Sequence, residues 1–267
     1  MKIALYLRHI DHAAQPVFDE LVEALHARGI AVQSVTDGDS VDGCDFLFSI
    51  GGDGTLLSSV QFVRSSNPAA FPPILGINFG HLGFLTTVGK EDFGAMIGDL
   101  LAGHYSLEQR TLLQINGDAY ALNEVFLHRS EESSLLRTQV FVDGDYVATY
   151  AGDGVIVATP TGSTAYSLSC GGPILTPNSR GLLITPISAH TLTLRPIIVP
   201  DTSHMQLRVA DSSPFTLGMD SRRRQMQGPV ELDLQRAPFT ISLIRMNTQN
   251  FFSAIRDKLM WGTEVRQ

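Results

Sequence analysis

The sequence predicts an α/β N-terminal domain with a Rossmann-like parallel sheet, a β-rich C-terminal domain of β-sandwich-like character, and a final helix. Three observations lead to this fold class. Strand and helix patterns alternate over residues 1–100, short strand patterns separated by turn pairs follow over 101–247, and the tail 248–267 has one apolar helical face. A chain of 267 residues has room for two ordinary domains, each with its own core.

The first hundred residues alternate strands with helices. The run 44–50 has too little polar alternation for a half-exposed strand, so we expect it in the middle of a parallel sheet covered on both faces. Val17, Leu21 and Leu25 recur on one helical face before Gly29, a residue type that commonly follows a helix. The predicted strands are 2–7, 30–35, 44–50 and 74–78, and two further helices are predicted at 55–64 and 91–101.

The second domain is predicted from turn pairs and short β-forming runs. Asn116-Gly117 and Asp143-Gly144 are each flanked by strand-forming residues, which is typical of two-residue hairpin loops. A short helix is predicted near 163–169, and the segment 249–260 has the amphipathic pattern of a helix that covers a surface. The main further strands are predicted at 182–187, 204–209, 230–234 and 239–244.

Composition and charge exclude several classes of protein. The 19 Lys and Arg against 27 Asp and Glu give a net charge of −8, which argues against nucleic-acid binding. Two cysteines are too few for a disulfide framework, so a reducing cytoplasm is expected. The N-terminal apolar stretch is too short for a signal peptide, and no apolar run is long enough to span a membrane, so neither export nor insertion is expected. His9 and His12 lack a complete ligand set, and no metal site is predicted from them.

The segment Gly51-Gly52-Asp53-Gly54-Thr55 joins the most apolar predicted strand to the start of a helix. Open α/β sheets bind ligands at this edge, and glycines let backbone N–H groups approach phosphate oxygens at a helix N-terminus. A carboxylate there needs a specific role, such as holding a divalent cation or accepting a proton from an attacking hydroxyl, which makes Asp53 the catalytic candidate. The alternative is a glycine-rich turn in which Asp53 caps the helix at Thr55. The lysine of a Walker A loop is missing.

A second segment combines Gly152-Asp153-Gly154 with the hydroxyl-rich run 159–167. Its donors and acceptors can match the edge of a purine, and Tyr166 offers a ring for stacking. The alternative is a capped helix with Ser163 as the cap and Tyr166 in the core.

Two weaker segments lie between these. Asn123 and Glu124 fall within the strand-like stretch 120–128, where neighbours point to opposite faces unless the chain bulges or bends. Residues 79–85 form a second glycine-rich strand exit, in which Gly80 and Gly83 would let backbone pass close to a ligand; a plain connection is the alternative.

Together these segments resemble the NAD kinase family, which phosphorylates NAD to NADP. The shared features are the G-G-D-G-T loop, the N-E pair and the G-D-G…T-P-T-G-S-T-A-Y block, in this order. The loop alone is also similar to loops in phosphofructokinases and diacylglycerol-type lipid kinases, so the longer block carries the specificity. The resemblance implies that Asp53 lies at the adenosine ribose and assists phosphate transfer to its 2′-hydroxyl. It also implies phosphate contacts from the loop residues Gly51, Gly52, Gly54 and Thr55, and nucleotide contacts from Phe84, Asn123, Glu124, Asp153, Thr164, Ala165, Tyr166, Ser167 and Asp220.

The chain departs from this family at one point. Many relatives have Arg or Lys close before the second G-D-G, whereas Thr149, Tyr150 and Ala151 stand here. Phosphate neutralisation is therefore expected from elsewhere, first from Arg195 and then from His190. The basic run 222–224 is predicted to be a solvated turn.

The resemblance implies an enzyme that uses ATP with Mg²⁺, or another divalent cation, to phosphorylate NAD. It also implies a homo-oligomer, dimer or tetramer, and a C-terminal helix that returns to the first domain. The alternatives are a non-catalytic NAD(P)-binding sensor and another kinase with this loop that acts on a sugar phosphate or a lipid. ATP against polyphosphate, NAD against NADH, and feedback by NADPH stay open at this stage.

Overall fold

The computed structural model describes residues 1–8, 15–62, 67–80, 83–89, 93–246 and 250–262. The chain divides into two compact units, Met1–Gln109 with Ile241–Gln267 and Arg110–Thr240. The first elements in chain order are β1 (Lys2–Tyr6), α1 (Gln15–His26), β2 (Ala31–Val35), β3 (Phe46–Ile50), α2 (Asp53–Phe62), β4 (Ile74–Ile77), α3 (Phe93–Ala102), β5 (Tyr105–Ile115), β6 (Ala119–Ala121), β7 (Glu124–Arg129) and β8 (Leu136–Val142). They are followed by β9 (Asp145–Gly152), β10 (Gly154–Ala158), α4 (Tyr166–Ser169), β11 (Gly181–Ile187), β12 (Ile197–Pro200), β13 (Met205–Val209), β14 (Pro214–Met219), β15 (Arg222–Gln227), β16 (Val230–Met246) and α5 (Phe251–Leu259).

The first unit is an α/β fold with parallel strands in the order β2-β1-β3-β4, to which the end of β16 adds in parallel. All five residues of β3 are buried, as its apolar sequence predicts for a central parallel strand. The main core lies where Ile3, Phe48 and Ile77 of the sheet pack against Leu21 of α1 and Ile97 of α3. The helix α2 packs on β3 and follows it after only two residues, so the glycine-rich turn lies at the carboxyl end of the sheet.

The second unit is built from antiparallel strands in two layers. One layer has the order β12-β11-β10-β7-β14-β15, and the other pairs β16 with β13, β13 with β8 and β8 with β9. Alternate side chains of both layers form a shared apolar core, including Val125, Leu127 and Val157 from one layer and Leu207 and Leu234 from the other. This is the predicted β-rich, sandwich-like domain.

The opposite face of the β7 layer points away from the shared core. Because side chains alternate along a strand, Glu124, Phe126 and His128 all point away from the shared core. A smaller apolar cluster on this face joins Phe126 to Ile156 and Leu183, and the segment after β10 packs over it. This face therefore combines an apolar floor with polar side chains.

Several local predictions were wrong in form. The strands predicted at 230–234 and 239–244 are one continuous strand, β16. The short helix near 163–169 is a 3₁₀ turn, Thr161–Thr164, and a four-residue α4, separated by Ala165 with φ −103° and ψ −128°. The basic run predicted as a turn lies in the strand β15. Within the described ranges, no helix has the length and apolar content that crossing a membrane requires.

Candidate functional site

The glycine-rich turn between β3 and α2 has a backbone that requires glycine at its first position. Gly51 has φ +141°, and a Cβ there would lie 2.4 Å from Oγ1 of Thr55. Its N–H donates to the carbonyl of Ile77 on β4 at 2.8 Å, which ties the turn to the neighbouring strand. By contrast, a Cβ at Gly54 would meet no atom of the described residues within 4 Å. The space beside Gly54 is therefore open to a ligand.

Asp53 begins α2, and its carboxylate bonds to a segment 31 to 33 residues further along the chain. Oδ2 accepts the N–H of Phe84 at 2.7 Å. Oδ1 accepts the N–H groups of Leu85 at 3.1 Å and Thr86 at 2.9 Å, and the Thr86 hydroxyl at 2.9 Å. The interpretation of Asp53 as a cap for the helix at Thr55 is therefore wrong, because its acceptors face residues 84–86.

Two glycines make this arrangement possible. A Cβ on Gly83 would lie 1.6 Å from Oδ1 of Asp53, and a Cβ on Gly76 of β4 would lie 2.8 Å from Cα of Thr86. The close approach expected of the strand exit 79–85 is thus, at Gly83, an approach to a protein carboxylate. Residues 81 and 82 of that exit lie outside the described residues.

The hydrogen bonds leave the two oxygens of Asp53 unequal. A carboxylate offers about four lone-pair positions over its two oxygens. Among the described residues, Oδ1 has three donors, whereas Oδ2 has one. Most of the remaining lone-pair positions are therefore on Oδ2, and a ligand hydroxyl that donates a hydrogen bond to Asp53 would donate it there.

In the second unit, a cavity of about 310 Å³ lies on the outward face of β7. Its floor is Phe126, and Tyr166 packs edge-on against that ring with centroids 5.3 Å apart. Gly218 on β14 leaves room for Phe126, since a Cβ there would lie 2.1 Å from the ring. The full lining is Glu124, Phe126, His128, Tyr166, Thr216, Asp220 and Arg223.

Asp220 binds the backbone of Asn123 and Glu124. Its carboxylate accepts the N–H groups of Leu122 at 2.7 Å, Asn123 at 2.7 Å and Glu124 at 3.0 Å. Asp220 itself has φ +51°, a conformation that Asp tolerates better than most residues. The bend held by these bonds separates β6 from β7, so the two neighbouring side chains are not bound to strict strand alternation.

Glu124 is an unusual carboxyl group. It is only 6% exposed, and burial raises its pKa to about 8, with a further contribution from the charge of Asp220. At neutral pH it is therefore mostly protonated. Among the described residues, neither Oε2 of Glu124 nor Oδ1 of Asn123 has a hydrogen-bond partner, although both atoms are buried. Unpaired buried polar atoms beside a cavity point to a ligand that pairs with them.

The hydroxyl-rich run 159–167 wraps around this bend. The Thr159 hydroxyl donates to the Leu122 carbonyl at 2.6 Å, and its N–H donates to the Asn123 carbonyl at 2.9 Å. A Cβ on Gly162 would lie 2.1 Å from that Asn123 carbonyl oxygen. Ala165 follows at the break before α4 and brings Tyr166 over Phe126.

Several hydroxyls of the run serve the fold. Ser163 caps no helix; its hydroxyl donates to the Pro160 carbonyl at 2.7 Å and accepts the Leu175 N–H at 3.0 Å. The Thr164 hydroxyl donates to the Thr161 carbonyl at 3.3 Å. Ser167 is fully buried and shares a 2.8 Å hydrogen bond with Thr185, so its ligand contact stays a prediction.

Asp153 has an arginine partner that the sequence did not reveal. Nε of Arg129 on β7 donates to Oδ1 of Asp153 at 2.6 Å, and this bond holds the pKa of Asp153 below its usual value. His190 lies nearby along the backbone, with its N–H bonded to the Ala151 carbonyl at 2.9 Å. The exposed Arg195 donates to the Leu192 and Leu194 carbonyls of its own loop at 2.6 and 2.8 Å.

The structure thus gathers the predicted residues into separate groups. The loop 51–55 and Phe84 meet around Asp53, while Glu124, Tyr166 and Asp220 line the cavity. Asn123 does not line the cavity, and its N–H bonds to the Asp220 carboxylate. Sequence reasoning missed Phe126 and His128, although their alternation with Glu124 was a usable signal. It also missed Arg129, Thr216, Gly218 and Arg223. The partner of Arg129, Asp153, is 24 residues away, and Gly218 approaches Phe126 on another strand.

Within the described ranges, no group of three or more His, Cys, Asp or Glu side chains could hold a metal ion. His9 and His12 lie outside the described residues.

Comparison with known proteins matches the sequence of this chain to one family. The pattern of the ATP-NAD kinase N-terminal domain matches residues 8–105, and that of the ATP-NAD kinase C-terminal domain matches residues 122–246. The NAD kinase of Flavobacterium johnsoniae is 32% identical over 297 aligned positions and 100% of both chains. The NAD kinase of Cytophaga hutchinsonii is 38% identical over 230 positions, covering 83% of this chain and 77% of the relative.

Solved structures have the same fold. Yeast NADH kinase complexed with NADH superposes with a TM-score of 0.88 over 99% of this chain and 89% of the other, at 22% identity, which supports the fold alone. An NAD kinase from Archaeoglobus fulgidus in complex with ATP gives a TM-score of 0.81 over 96% of this chain and 99% of the other, at 25% identity.

Proposed function

The chain belongs to the NAD kinase family, and from this premise we propose that it transfers the γ-phosphoryl group of ATP to the 2′-hydroxyl of the adenosine ribose of NAD. One observation carries the proposal: a carboxylate, Asp53, is held by four hydrogen bonds inside the glycine-rich turn that follows the central strand. Ligands of open α/β folds bind at this edge, and the open space beside Gly54 suits a phosphate.

Asp53 is proposed to receive the hydrogen bond of the ribose hydroxyl at Oδ2. The three donors on Oδ1 fix the carboxylate before substrate arrives, which removes the cost of orienting it during the reaction. Accepting the hydroxyl proton as phosphate transfer proceeds is worth roughly 10²–10⁴-fold in rate for a positioned base.

The cavity of the second unit is proposed to bind part of the dinucleotide. Phe126 and Tyr166 offer aromatic surface, and the unpaired Oδ1 of Asn123 can accept a hydrogen bond from an exocyclic amino or amide group. Glu124, mostly protonated at neutral pH, can donate one to a ring nitrogen or a ribose oxygen. Thr164 and Ala165 are proposed contacts through the backbone of the same run.

The phosphates of the ligand need positive charge and N–H donors. We propose that Arg129, beside Asp153, supplies the charge that many relatives place before the second G-D-G. The exposed His190 and Arg195 are proposed as further phosphate contacts.

ATP is the proposed donor, with Mg²⁺ or another divalent cation. The described residues offer no cluster of protein ligands for it. Mg²⁺ in phosphate-transfer sites is usually held by triphosphate oxygens and water with one or two carboxylates. Bound there, it would neutralise charge on the transferring phosphate.

The test is product formation by the purified chain from NAD, ATP and MgCl₂, measured with an NADP-specific dehydrogenase. NADP should form, and 2′-deoxy-NAD should give no phosphorylated product. Binding of NAD without any NADP would favour the sensor alternative, and phosphate transfer to a sugar phosphate or lipid instead would favour the other kinases. Parallel reactions with NADH and polyphosphate determine the acceptor and donor preferences.

We also propose a cytoplasmic homo-oligomer, dimer or tetramer. Cys44 and Cys170 are both free thiols, which fits a reducing compartment. Light scattering after gel filtration measures the assembly, and a monomer at micromolar concentration contradicts it.

A further inference from the structure

We propose that Arg245 is a positioning residue for phosphate transfer, acting on Asp53 through the peptide group that joins Phe84 to Leu85. The inference rests on the proposed function, because it concerns the orientation of the carboxylate assigned there. Arg245 lies on β16, far from the glycine-rich loop in sequence, and none of the sequence motifs includes it.

The guanidinium of Arg245 makes two directed contacts. Its Nε donates to Oε2 of Glu108 on β5 at 2.8 Å, and its Nη2 donates to the carbonyl oxygen of Phe84 at 3.1 Å. The side chain of Arg245 is 14% exposed and that of Glu108 is 33% exposed, so the guanidinium is the more shielded of the two from water. Glu108 orients the guanidinium, and the planar fork of arginine then determines where the second donor points.

The contacted carbonyl belongs to the peptide group whose N–H, that of Leu85, donates to Oδ1 of Asp53. A peptide group is planar, so fixing its C=O also fixes the direction of its N–H. A positive charge at the C=O end polarises the group and strengthens the hydrogen bond at the N–H end. Glu108, Arg245, this peptide and Asp53 therefore form one continuous chain of hydrogen bonds.

Phe84 is contacted from a further element. Nζ of Lys258 on α5 lies 5.9 Å from the centroid of the Phe84 ring. The C-terminal helix and β16 thus both contact the segment that holds Asp53. Arg245 is the one of these two cations whose contact reaches the peptide bonded to the carboxylate.

The main test is a double-mutant cycle on kcat with Arg245→Met and Asp53→Asn. Arg245→Met should lower kcat about 10-fold in the parental background, with KM for NAD changed less than about twofold. In the Asp53→Asn background the same substitution should lower kcat less than twofold, because its target has already lost the carboxylate. A merely structural role would give similar losses in both backgrounds.

Two further variants control for folding and charge. Arg208→Met removes an exposed ion pair to Glu231 with the same 2.8 Å distance, and should leave kcat at the parental value. Glu108→Gln keeps Arg245 but weakens its orientation, and should lower kcat by less than Arg245→Met. If Arg245→Met fails to fold, Glu108→Gln takes its place in the cycle.

A ligand-free measurement separates this inference from the proposed function. Amide hydrogen exchange at residues 84–86 should be faster in Arg245→Met than in the parent, and unchanged in Arg208→Met. Parental kcat in Arg245→Met, equal losses in both backgrounds, or unchanged exchange would overturn the positioning role. Absence of NADP formation by the parent would instead refute the proposed function, and the exchange result would still decide whether Arg245 holds the segment.

Discussion

Replacing Asp53 by Asn changes one acceptor oxygen into a donor at a place where every neighbour donates. The favoured orientation keeps the amide oxygen at the Oδ1 position, where it retains the donors of Leu85 and Thr86. The amide nitrogen then faces the N–H of Phe84, which stands 2.7 Å from Oδ2 in the parent. Two donors oppose each other there, so one hydrogen bond is lost outright.

The magnitude follows from the count of bonds. Losing a hydrogen bond to a charged group costs about 1.5–3 kcal/mol, and the three remaining bonds weaken because their acceptor is no longer ionised. We therefore expect Asp53→Asn to lower the free energy of unfolding by about 2–4 kcal/mol. Turnover should fall at least about 100-fold, the lower end of what a positioned base contributes.

The assay pairs urea unfolding with kcat at saturating NAD and ATP, measured at a temperature where the variant is fully folded. Asp19→Asn, at an exposed carboxylate of α1, is the matched control and should change neither quantity. Parental stability would refute the described bonding of Asp53, whereas parental turnover in a folded variant would refute its catalytic role.

Four other substitutions test the remaining geometry. Gly54→Ala should leave the unfolding midpoint unchanged or slightly raised, since no atom of the described residues lies within 4 Å of the new Cβ, yet it should reduce kcat/KM for ATP if a phosphate uses that space. Gly51→Ala should lower the melting temperature, because its Cβ would meet Thr55 at 2.4 Å. The pKa of Glu124 is raised from 4.5 to about 8 in the folded state, so the folded protein holds a proton that the unfolded chain has lost. The free energy of unfolding should therefore decrease as pH rises between these two values. Glu124→Gln should flatten that dependence, measured by urea titrations at pH 5.5 and 8.5. Gly218→Ala should displace the Phe126 ring, because the new Cβ would lie 2.1 Å from it. The KM for NAD should rise several-fold while kcat changes little. An unchanged KM contradicts the assignment of this cavity to NAD.

Periodicity and turn chemistry predicted most of the first unit. The apolar run at β3, the helical faces of α1 and α3, and the turn at Gly51 are local patterns, and each is decided by residues within a few positions of one another. The resemblance of the glycine-rich loop and the hydroxyl-rich run to the NAD kinase family likewise depends on contiguous residues. The family could therefore be identified from the sequence.

The continuity of β16 could not be predicted from its local sequence pattern. Residues 235–238 lack the clear strand pattern of their flanks, yet β16 continues through them because it pairs with different partners along its length. The same holds for the arginines of β15. Their local charge predicts a turn, but they form a strand because they pair with β14.

The sequence alone was enough to predict the alternation of strands and helices over the first hundred residues, the position of Asp53 at a strand exit and the family to which the chain belongs. Tertiary structure alone decided which groups surround each carboxyl group: residues 84–86 around Asp53, Asp220 beneath the bend at Asn123, and Arg129 beside Asp153. Backbone propensity acts over a few residues, whereas a carboxyl group in a packed fold is paired by whichever donors that fold brings within about 3 Å.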